Sequence, residues 1–162
     1  EAEDFDHGGE GVAFHRTDDE AANNTYRSSN VMIRPAEDTP GGYLAGAGGG
    51  FCVTALKAGD WLEYTVDIQE EGFYEIGIRT ASNGSGGCAH ITFDGENRTG
   101  PILLPDTKGE LAWTTIHAGK VYLEKGIKVM GLLIESVGDS GFAGNINYFE
   151  LIPAQESLKM NF

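Results

Sequence analysis

Short runs in which apolar and polar residues alternate recur along this chain, and they constrain its fold more than any other feature. The clearest run is Trp61–Ile68, and a second, at 74–79, follows a Glu71-Gly72 turn. An alternation of period two places one set of side chains on each face of a half-buried strand. Asp94-Gly95 predicts a tight hairpin turn. Further strands are predicted at 90–93, 113–116, 120–123, 129–135 and 145–152.

The same pattern predicts an all-β fold. No window holds a convincing helical period with caps, and turn signals recur roughly every 8 to 12 residues, which is typical of a β-sandwich, here of jelly-roll topology. At 162 residues, the chain has the length of one domain, predicted to span 1–162. Two Gly-rich stretches, 40–50 and 83–87, are predicted surface loops.

Net charge narrows the range of partners. The chain has 25 acidic and 11 basic residues, for a formal net charge of −14. Such a field repels phosphate backbones and anionic lipid headgroups, so neither nucleic acid nor a membrane surface is an expected partner. The acidic, lysine-poor composition favours secretion, and we expect a monomer.

Enzymatic chemistry has no recognisable sequence context in this chain. The four histidines, at positions 7, 15, 90 and 117, have no zinc-binding spacing. Gly-x-Ser-x-Gly is absent, and the glycines at 46–50 precede no helix that would make them a nucleotide site. Cys52 and Cys88 permit one disulfide, although two buried thiols are the preferred interpretation. The sequence therefore favours a binding protein over an enzyme.

One pair of carboxylates is placed for a metal. Glu1 and Glu3 lie two residues apart at the start of a strand-like segment, so both side chains would project from one face. A hard cation such as calcium prefers oxygen ligands of this kind. A solvated strand end is the alternative interpretation.

Five segments, in order and spanning nearly the whole chain, resemble a family 6 carbohydrate-binding module. They are Glu-Ala-Glu-Asp-Phe at 1–5, Gly-Val-Ala-Phe-His at 11–15, Asn-Asn-Thr-Tyr-Arg at 23–27, Ala-Gly-Asp-Trp-Leu-Glu-Tyr-Thr-Val at 58–66 and Asn-Ile-Asn-Tyr-Phe-Glu-Leu at 145–151. The resemblance implies a jelly roll with a structural calcium and a sugar site in the loops that join the two sheets. It also implies a non-catalytic module joined to a polysaccharide-degrading enzyme.

The resemblance assigns calcium ligands. It implies that calcium is bound by Glu1, Glu3, a backbone oxygen near Arg27 and the side chain of Asn147. Family members often have Asp at the last position, and the neutral amide of Asn147 lowers the charge of the site, so weaker calcium binding is expected.

The resemblance also assigns sugar contacts, with one departure. Tyr26 and Asn145 match the family's Tyr before Arg and the first Asn of its closing motif. The exposed Trp position of the family falls on Glu110 when Trp113 is aligned with the more buried Trp. A carboxylate accepts hydrogen bonds from hydroxyls but offers no stacking face, so the usual two-ring sandwich is in doubt.

Two other aromatic residues are candidates to replace the stacking ring that Glu110 cannot supply. Phe142, in a Gly-rich loop before the closing motif, or Tyr43, in the 40–50 loop, would supply the ring from a different direction, to judge by their positions in loops. His15 falls where some members have a cleft carboxylate, and together with Glu110 it would form a polar wall. A site on the concave sheet face is the other option, but Ala55 stands there in place of an aromatic residue.

These inferences predict a module that targets an attached glycoside hydrolase to a neutral plant or algal polysaccharide of the xylan, β-glucan or agarose type. The alternative is a structural or interaction jelly roll whose sugar site is degenerate. Trp61 and Trp113 alternate with polar neighbours and are predicted to lie in the core.

Overall fold

A computed structural model describes residues 1–18, 22, 24, 26–38 and 50–154. One turn of 3₁₀ helix, Ala2–Asp4, precedes the strands. The strands are β1 (Phe14–His15), β2 (Ile33–Pro35), β3 (Phe51–Val53), β4 (Trp61–Ile68), β5 (Gly72–Ser82), β6 (Cys88–Phe93), β7 (Glu96–Asn97), β8 (Ile102–Leu103), β9 (Gly109–Leu123), β10 (Gly126–Ser136) and β11 (Asn145–Pro153). In this part of the chain no helix is long and apolar enough to cross a bilayer.

The strands form two antiparallel sheets. One is six-stranded in the order β1-β4-β10-β6-β7, with β8 also paired to β6. The other is five-stranded in the order β2-β3-β11-β5-β9. Because most neighbouring strands in each sheet are distant in sequence, the chain crosses repeatedly between the sheets, as in a jelly roll. The predicted all-β sandwich is confirmed.

Alternation within each strand determines which side chains enter the core. In β4, Leu62, Tyr64 and Ile68 are buried between the sheets and half-buried Val66 packs against the same core, while Glu63, Thr65 and Asp67 face outward. Trp61 has the opposite parity to the core residues, so it lies half-buried on the outer face. The prediction that Trp61 lies in the core is therefore wrong. Trp61 and Tyr64 are an odd number of positions apart, so an alternation of period two puts their side chains on opposite faces of the strand.

The predicted hairpin at Asp94-Gly95 is confirmed. Both residues have positive φ, 51° and 82°, as the tight turn between β6 and β7 requires. The two predicted strands at 113–116 and 120–123 form the single strand β9 instead, which continues through an irregularity in its pairing with β5. A bulge of this kind breaks the alternation without ending the strand.

Two loops at one end of the sandwich touch closely. The 83–87 loop packs against the segment between β10 and β11, and a Cβ added at Gly138 would lie 2.0 Å from the carbonyl oxygen of Ser85. A Cβ added at Gly87 would lie at the same distance from the carbonyl oxygen of Ser136. Only glycine allows backbones to approach this closely. Most of the 40–50 loop, including Tyr43, lies outside the described residues.

The segment after β2 crosses the outer face of the five-stranded sheet. The carbonyl of Ala36 accepts a hydrogen bond from Nε1 of Trp113 on β9 at 2.8 Å. Buried Asp38 accepts two hydrogen bonds, 2.7 and 2.8 Å long, from the guanidinium of Arg79 on β5, and a third from Nδ2 of Asn147 on β11 at 2.8 Å. Trp113 is therefore half-buried on this face rather than in the core as predicted.

Both cysteines are free thiols on different sheets. Cys52 lies on β3 in the five-stranded sheet, and Cys88 lies on β6 in the six-stranded sheet. The prediction of two buried thiols is correct for Cys52 but wrong for Cys88, which is a half-buried thiol. Burial raises the pKa of Cys52 to about 12, so this thiol stays protonated at neutral pH.

Candidate functional site

The ends of the five-stranded sheet and two loops enclose a cavity of about 110 Å³. Every strand of that sheet contributes, because β5 ends there, β9 and β11 begin there, and β2 and β3 pass beside it. The lining residues are Arg34, Thr54, Ala81, Ser82, Asn83, Glu110, Ser140, Phe142, Gly144 and Asn145. Of the five predicted sugar contacts, the structure brings together three here: Glu110, Phe142 and Asn145.

Asn145 fixes the floor of this cavity. Its side chain is almost fully buried, its Oδ1 accepts a hydrogen bond from Oγ1 of Thr54 at 2.5 Å, and its Nδ2 donates to the backbone carbonyl of Glu110 at 2.7 Å. These bonds tie the start of β11 to β3 and β9. One amide hydrogen and part of the acceptor capacity of Asn145 remain for a ligand.

Glu110 carries an ion pair at the cavity rim. Its Oε2 lies 3.0 Å from Nη1 of Arg34, and the two side chains are 62% and 38% exposed. A donor-only guanidinium and an acceptor-only carboxylate therefore stand side by side at the opening. Arg34 projects from β2, and its partner lies 76 positions later in the chain.

Phe142 supplies an aromatic face. Its ring is 37% exposed, and its loop is held by a hydrogen bond from Gly138 N to the carbonyl of Phe142 at 2.9 Å. Two more bonds, from Asp139 N to Ser85 O and from Ser85 N to Asp139 Oδ2, join this loop to the 83–87 loop. The ring therefore has a fixed backbone beneath it.

Tyr26 lies outside this cavity, beside the amino-terminal segment. It is 39% exposed, its ring packs on Phe51 with centroids 4.7 Å apart, and its hydroxyl donates to Asp4. That bond raises the pKa of Tyr26 to about 12. Tyr26 does not line the 110 Å³ cavity. Its neighbour Asp4 lines a wider open hollow of about 410 Å³ near the amino-terminal segment, and a role of Tyr26 in sugar binding stays a prediction.

His15 belongs to the other sheet. It lies on β1, where its Nδ1 pairs with Glu10 and its ring centroid is 6.2 Å from that of Trp61. The structure does not bring His15 beside Glu110, so the two residues form no common polar wall in the described cavity.

Glu3 is a buried carboxylate with an incomplete set of partners. Its Oε1 accepts a hydrogen bond from Phe51 N at 3.3 Å. Its Oε2 is buried and has no hydrogen-bond partner among the described residues. Burial, reinforced by the negative charge of Glu1, raises the pKa of Glu3 to about 7. A buried oxygen left without a donor is a site that a cation would satisfy.

The other predicted calcium ligands take different positions. Glu1 is exposed beside Glu3, and buried Asn147 lies on β11 next to β3. Arg27 donates through its guanidinium to the carbonyls of Glu3 and Phe5 at 3.1 and 2.5 Å, so its side chain anchors the opening segment. Within the described ranges, no three His, Cys, Asp or Glu side chains are grouped to hold a metal. A cation here would need amide and backbone oxygens as well.

Five polar residues that line the cavity were not among the predicted site residues: Arg34, Thr54, Ser82, Asn83 and Ser140. Arg34, Thr54 and Asn83 stand in no motif, and only the pairing of distant strands brings them to Glu110 and Asn145. The only sequence signal for the ion pair was Glu110 itself. A charged residue at the position where the family has an aromatic residue implies an oppositely charged partner nearby.

A two-sheet β-sandwich with a polar, ring-bearing cavity at its loop end is the architecture of many sugar-binding modules, and comparison with known proteins agrees. The family model "Carbohydrate binding module (family 6)" matches residues 21–153. The chain therefore belongs to this family of non-catalytic sugar-binding modules. No curated protein matches the chain.

Solved structures of the same kind resemble the chain along most of its length. A family 6 module from the lichenase 5A of Cellvibrio mixtus, solved in complex with cellotriose, is 30% identical, with a TM-score of 0.58, and the match covers 77% of this chain and 98% of that one. The carboxy-terminal family 6 module of LamC, a marine laminarinase from Zobellia galactanivorans, is 27% identical with a TM-score of 0.61, covering 75% and 87%.

Proposed function

We propose that the chain binds a neutral plant or algal polysaccharide, of the xylan, β-glucan or agarose type, in the cavity at the loop end of the five-stranded sheet. The observation that carries this proposal is the joint placement of Phe142, Asn145 and Glu110 around one opening. A sugar ring offers an apolar face to an aromatic side chain and hydroxyls to fixed polar groups, and this cavity provides both.

The size of the cavity limits the affinity. One aromatic face and a few hydrogen bonds favour a dissociation constant in the micromolar to millimolar range, about −4 to −8 kcal/mol. Such a site is sufficient when the module is tethered, because tethering raises the effective concentration of the attached domain at its substrate.

The charge of the chain supports a neutral ligand. A net charge of −14 repels sulfated and uronate-rich chains. The relatives favour the same class, since one was solved with cellotriose and another comes from a laminarinase. Both are modules of polysaccharide-degrading enzymes, which supports attachment of this chain to a glycoside hydrolase and secretion of the whole protein. We expect the module to act as a monomer.

Calcium belongs to the same proposal. Glu3 fits a cation because it has a buried oxygen without a described partner, and Glu1, Asn147 and a backbone oxygen near Arg27 would complete the set. Calcium would supply charge compensation there and take no part in sugar contacts. The opening segment contacts β3 and β11, so the ion would join the start of the chain to the closing strand.

A structural jelly roll with a degenerate sugar site is the second candidate. The observation in its favour is that two predicted contacts, Tyr26 and His15, do not line the cavity. The buried amide of Asn145 also already makes two internal hydrogen bonds. In this case the cavity would bind no polymer.

Affinity electrophoresis with calcium present separates the two candidates. Xylan, laminarin, cellulose, agarose and mannan are tested against the wild type, Phe142→Ala, Tyr26→Ala and Phe73→Ala. Phe73 is the matched control, because it is an exposed ring, 54% accessible, that does not line the cavity. The proposal predicts retardation by a neutral polymer that Phe142→Ala abolishes and Phe73→Ala retains. Tyr26→Ala tests the remaining predicted ring. Absence of retardation in a folded protein would favour the structural candidate.

A further inference from the structure

The Arg34–Glu110 ion pair at the cavity rim is not needed to hold the fold. Both side chains are substantially exposed, and exposed pairs of this kind contribute only about 0 to 1 kcal/mol to stability. The pair nevertheless has a defined position, because the backbone carbonyl of Glu110 accepts a hydrogen bond from buried Asn145 and Arg34 extends from paired strand β2. A charged pair that is fixed but only weakly stabilising is suited to contact a ligand.

The chemistry of the pair matches hydroxyl groups. A guanidinium only donates hydrogen bonds and a carboxylate only accepts them, whereas a hydroxyl does both. One hydroxyl oxygen can therefore accept from Arg34 while a neighbouring hydroxyl donates to Glu110. Hydrogen bonds to ionised groups are roughly twice as strong as neutral ones. Because the two charges cancel, the pair attracts no net charge.

The small cavity places both hydroxyls on a single sugar. At about 110 Å³ the space takes no more than one ring, with Phe142 on one side. Nη1 of Arg34 and Oε2 of Glu110 are only 3.0 Å apart, so the two hydroxyls that they contact must be close together. Hydroxyls on adjacent ring carbons meet this requirement.

We propose that the Arg34–Glu110 pair is the specificity element of the cavity and selects a sugar ring with two adjacent free hydroxyls. This inference rests on the proposed function and deepens it. The glycosidic linkage of a polysaccharide then decides whether this pair can bind it. Every internal ring of a 1,4-linked xylan or glucan keeps adjacent hydroxyls at C2 and C3. In a 1,3-linked glucan the C3 oxygen is in the linkage, so the internal rings have no adjacent pair. Only the two terminal rings have one, at C2, C3 and C4 of the non-reducing end and at C1 and C2 of the reducing end.

Calorimetric titration of the whole chain with xylohexaose, cellohexaose and laminarihexaose tests this. The variants are Arg34→Met, Glu110→Gln and both together. The Arg98→Met and Glu96→Gln variants are the matched controls, since these residues form another exposed ion pair, 4.0 Å apart, and line no part of this cavity. The melting temperature of every variant is measured to confirm folding.

The pair should act as a unit. For the hexaose that the wild type binds most tightly, each single substitution is expected to lower affinity about tenfold, and the double variant should lose little more than either single one. The control variants should bind like the wild type. Glu110→Gln leaves the charge of Arg34 unopposed, so its affinity for hexagalacturonate should rise.

Three results would overturn the inference while leaving sugar binding intact: unchanged hexaose affinity in either single variant, full additivity in the double variant, or tighter binding of laminarihexaose than of both 1,4-linked hexaoses. A folded wild type that binds none of the three hexaoses but is retarded by agarose would overturn this inference alone. A folded wild type that binds no hexaose and is retarded by none of the five polymers would overturn the proposed function, and this inference would fall with it.

Discussion

Removal of calcium from the site proposed at Glu3 should make the stability contribution of this residue depend on pH. Without the ion, burial raises the pKa of Glu3 to about 7, whereas the unfolded chain ionises near the ordinary value of 4.5. Between these values the folded state holds a proton that the unfolded state has released. The contribution of Glu3 to stability is therefore greatest below pH 4.5, falls as the pH rises to 7 and is constant at higher pH.

The size of this effect follows from the difference between the two pKa values. At about 1.4 kcal/mol per pKa unit, the chelated protein should lose about 3 kcal/mol between pH 4.5 and 8. For a chain of this length that corresponds to roughly 6 to 12 °C in melting temperature. With saturating calcium the loss should disappear, because the ion compensates the charge of Glu3.

Urea unfolding at pH 4.5, 6 and 8, with calcium or with a chelator, measures this directly. Glu3→Gln removes the ionisable group, so its stability in chelator should lack the loss assigned to Glu3. Glu71→Gln, at an exposed carboxylate in a turn, should retain the full loss. If chelated wild type and chelated Glu3→Gln changed in parallel with pH, the assigned role of Glu3 would be refuted.

Two structural predictions concern the loops. Asp60→Ala should cost about 3 kcal/mol in chemical unfolding, because buried Arg16 would keep only Asp18 as an ionic partner and the amides of Thr17 and Lys57 would lose their acceptor; a loss below 1 kcal/mol would show that the buried carboxylate of Asp60 matters little. Gly138→Ala should lower sugar affinity in titrations, since the added Cβ would displace the loop of Phe142 from the carbonyl of Ser85; wild-type affinity in this variant would show that the loop position is unimportant.

The strands were predictable from sequence because alternation is a local signal. Trp61–Ile68 was predicted with the bounds that the structure gives, and the turn at Asp94-Gly95 follows from residues that tolerate positive φ. The parity of Trp61 was also present in the sequence but was outweighed by its hydrophobic character. A period of two is a stronger constraint on burial than the size of a side chain.

Contacts between distant loops were not predictable in the same way. Arg34 meets Glu110 only because β2 and β9 bring their ends to one cavity, and neither residue has a local pattern that names the other. The position of Asp38 on the outer face of the five-stranded sheet likewise depends on hydrogen bonds from Arg79 on β5 and Asn147 on β11. Resemblance to the family identified Asn145, which the structure places at the cavity with its amide already engaged.

Binding of a neutral polysaccharide at the Phe142 cavity is the central claim, and affinity electrophoresis of wild type and Phe142→Ala in calcium tests it most directly. The account predicts that at least one polymer among xylan, laminarin, cellulose, agarose and mannan retards the wild type and not the variant. Equal retardation of both proteins would contradict the assignment of the site, and retardation of neither, with both folded, would contradict the proposed function.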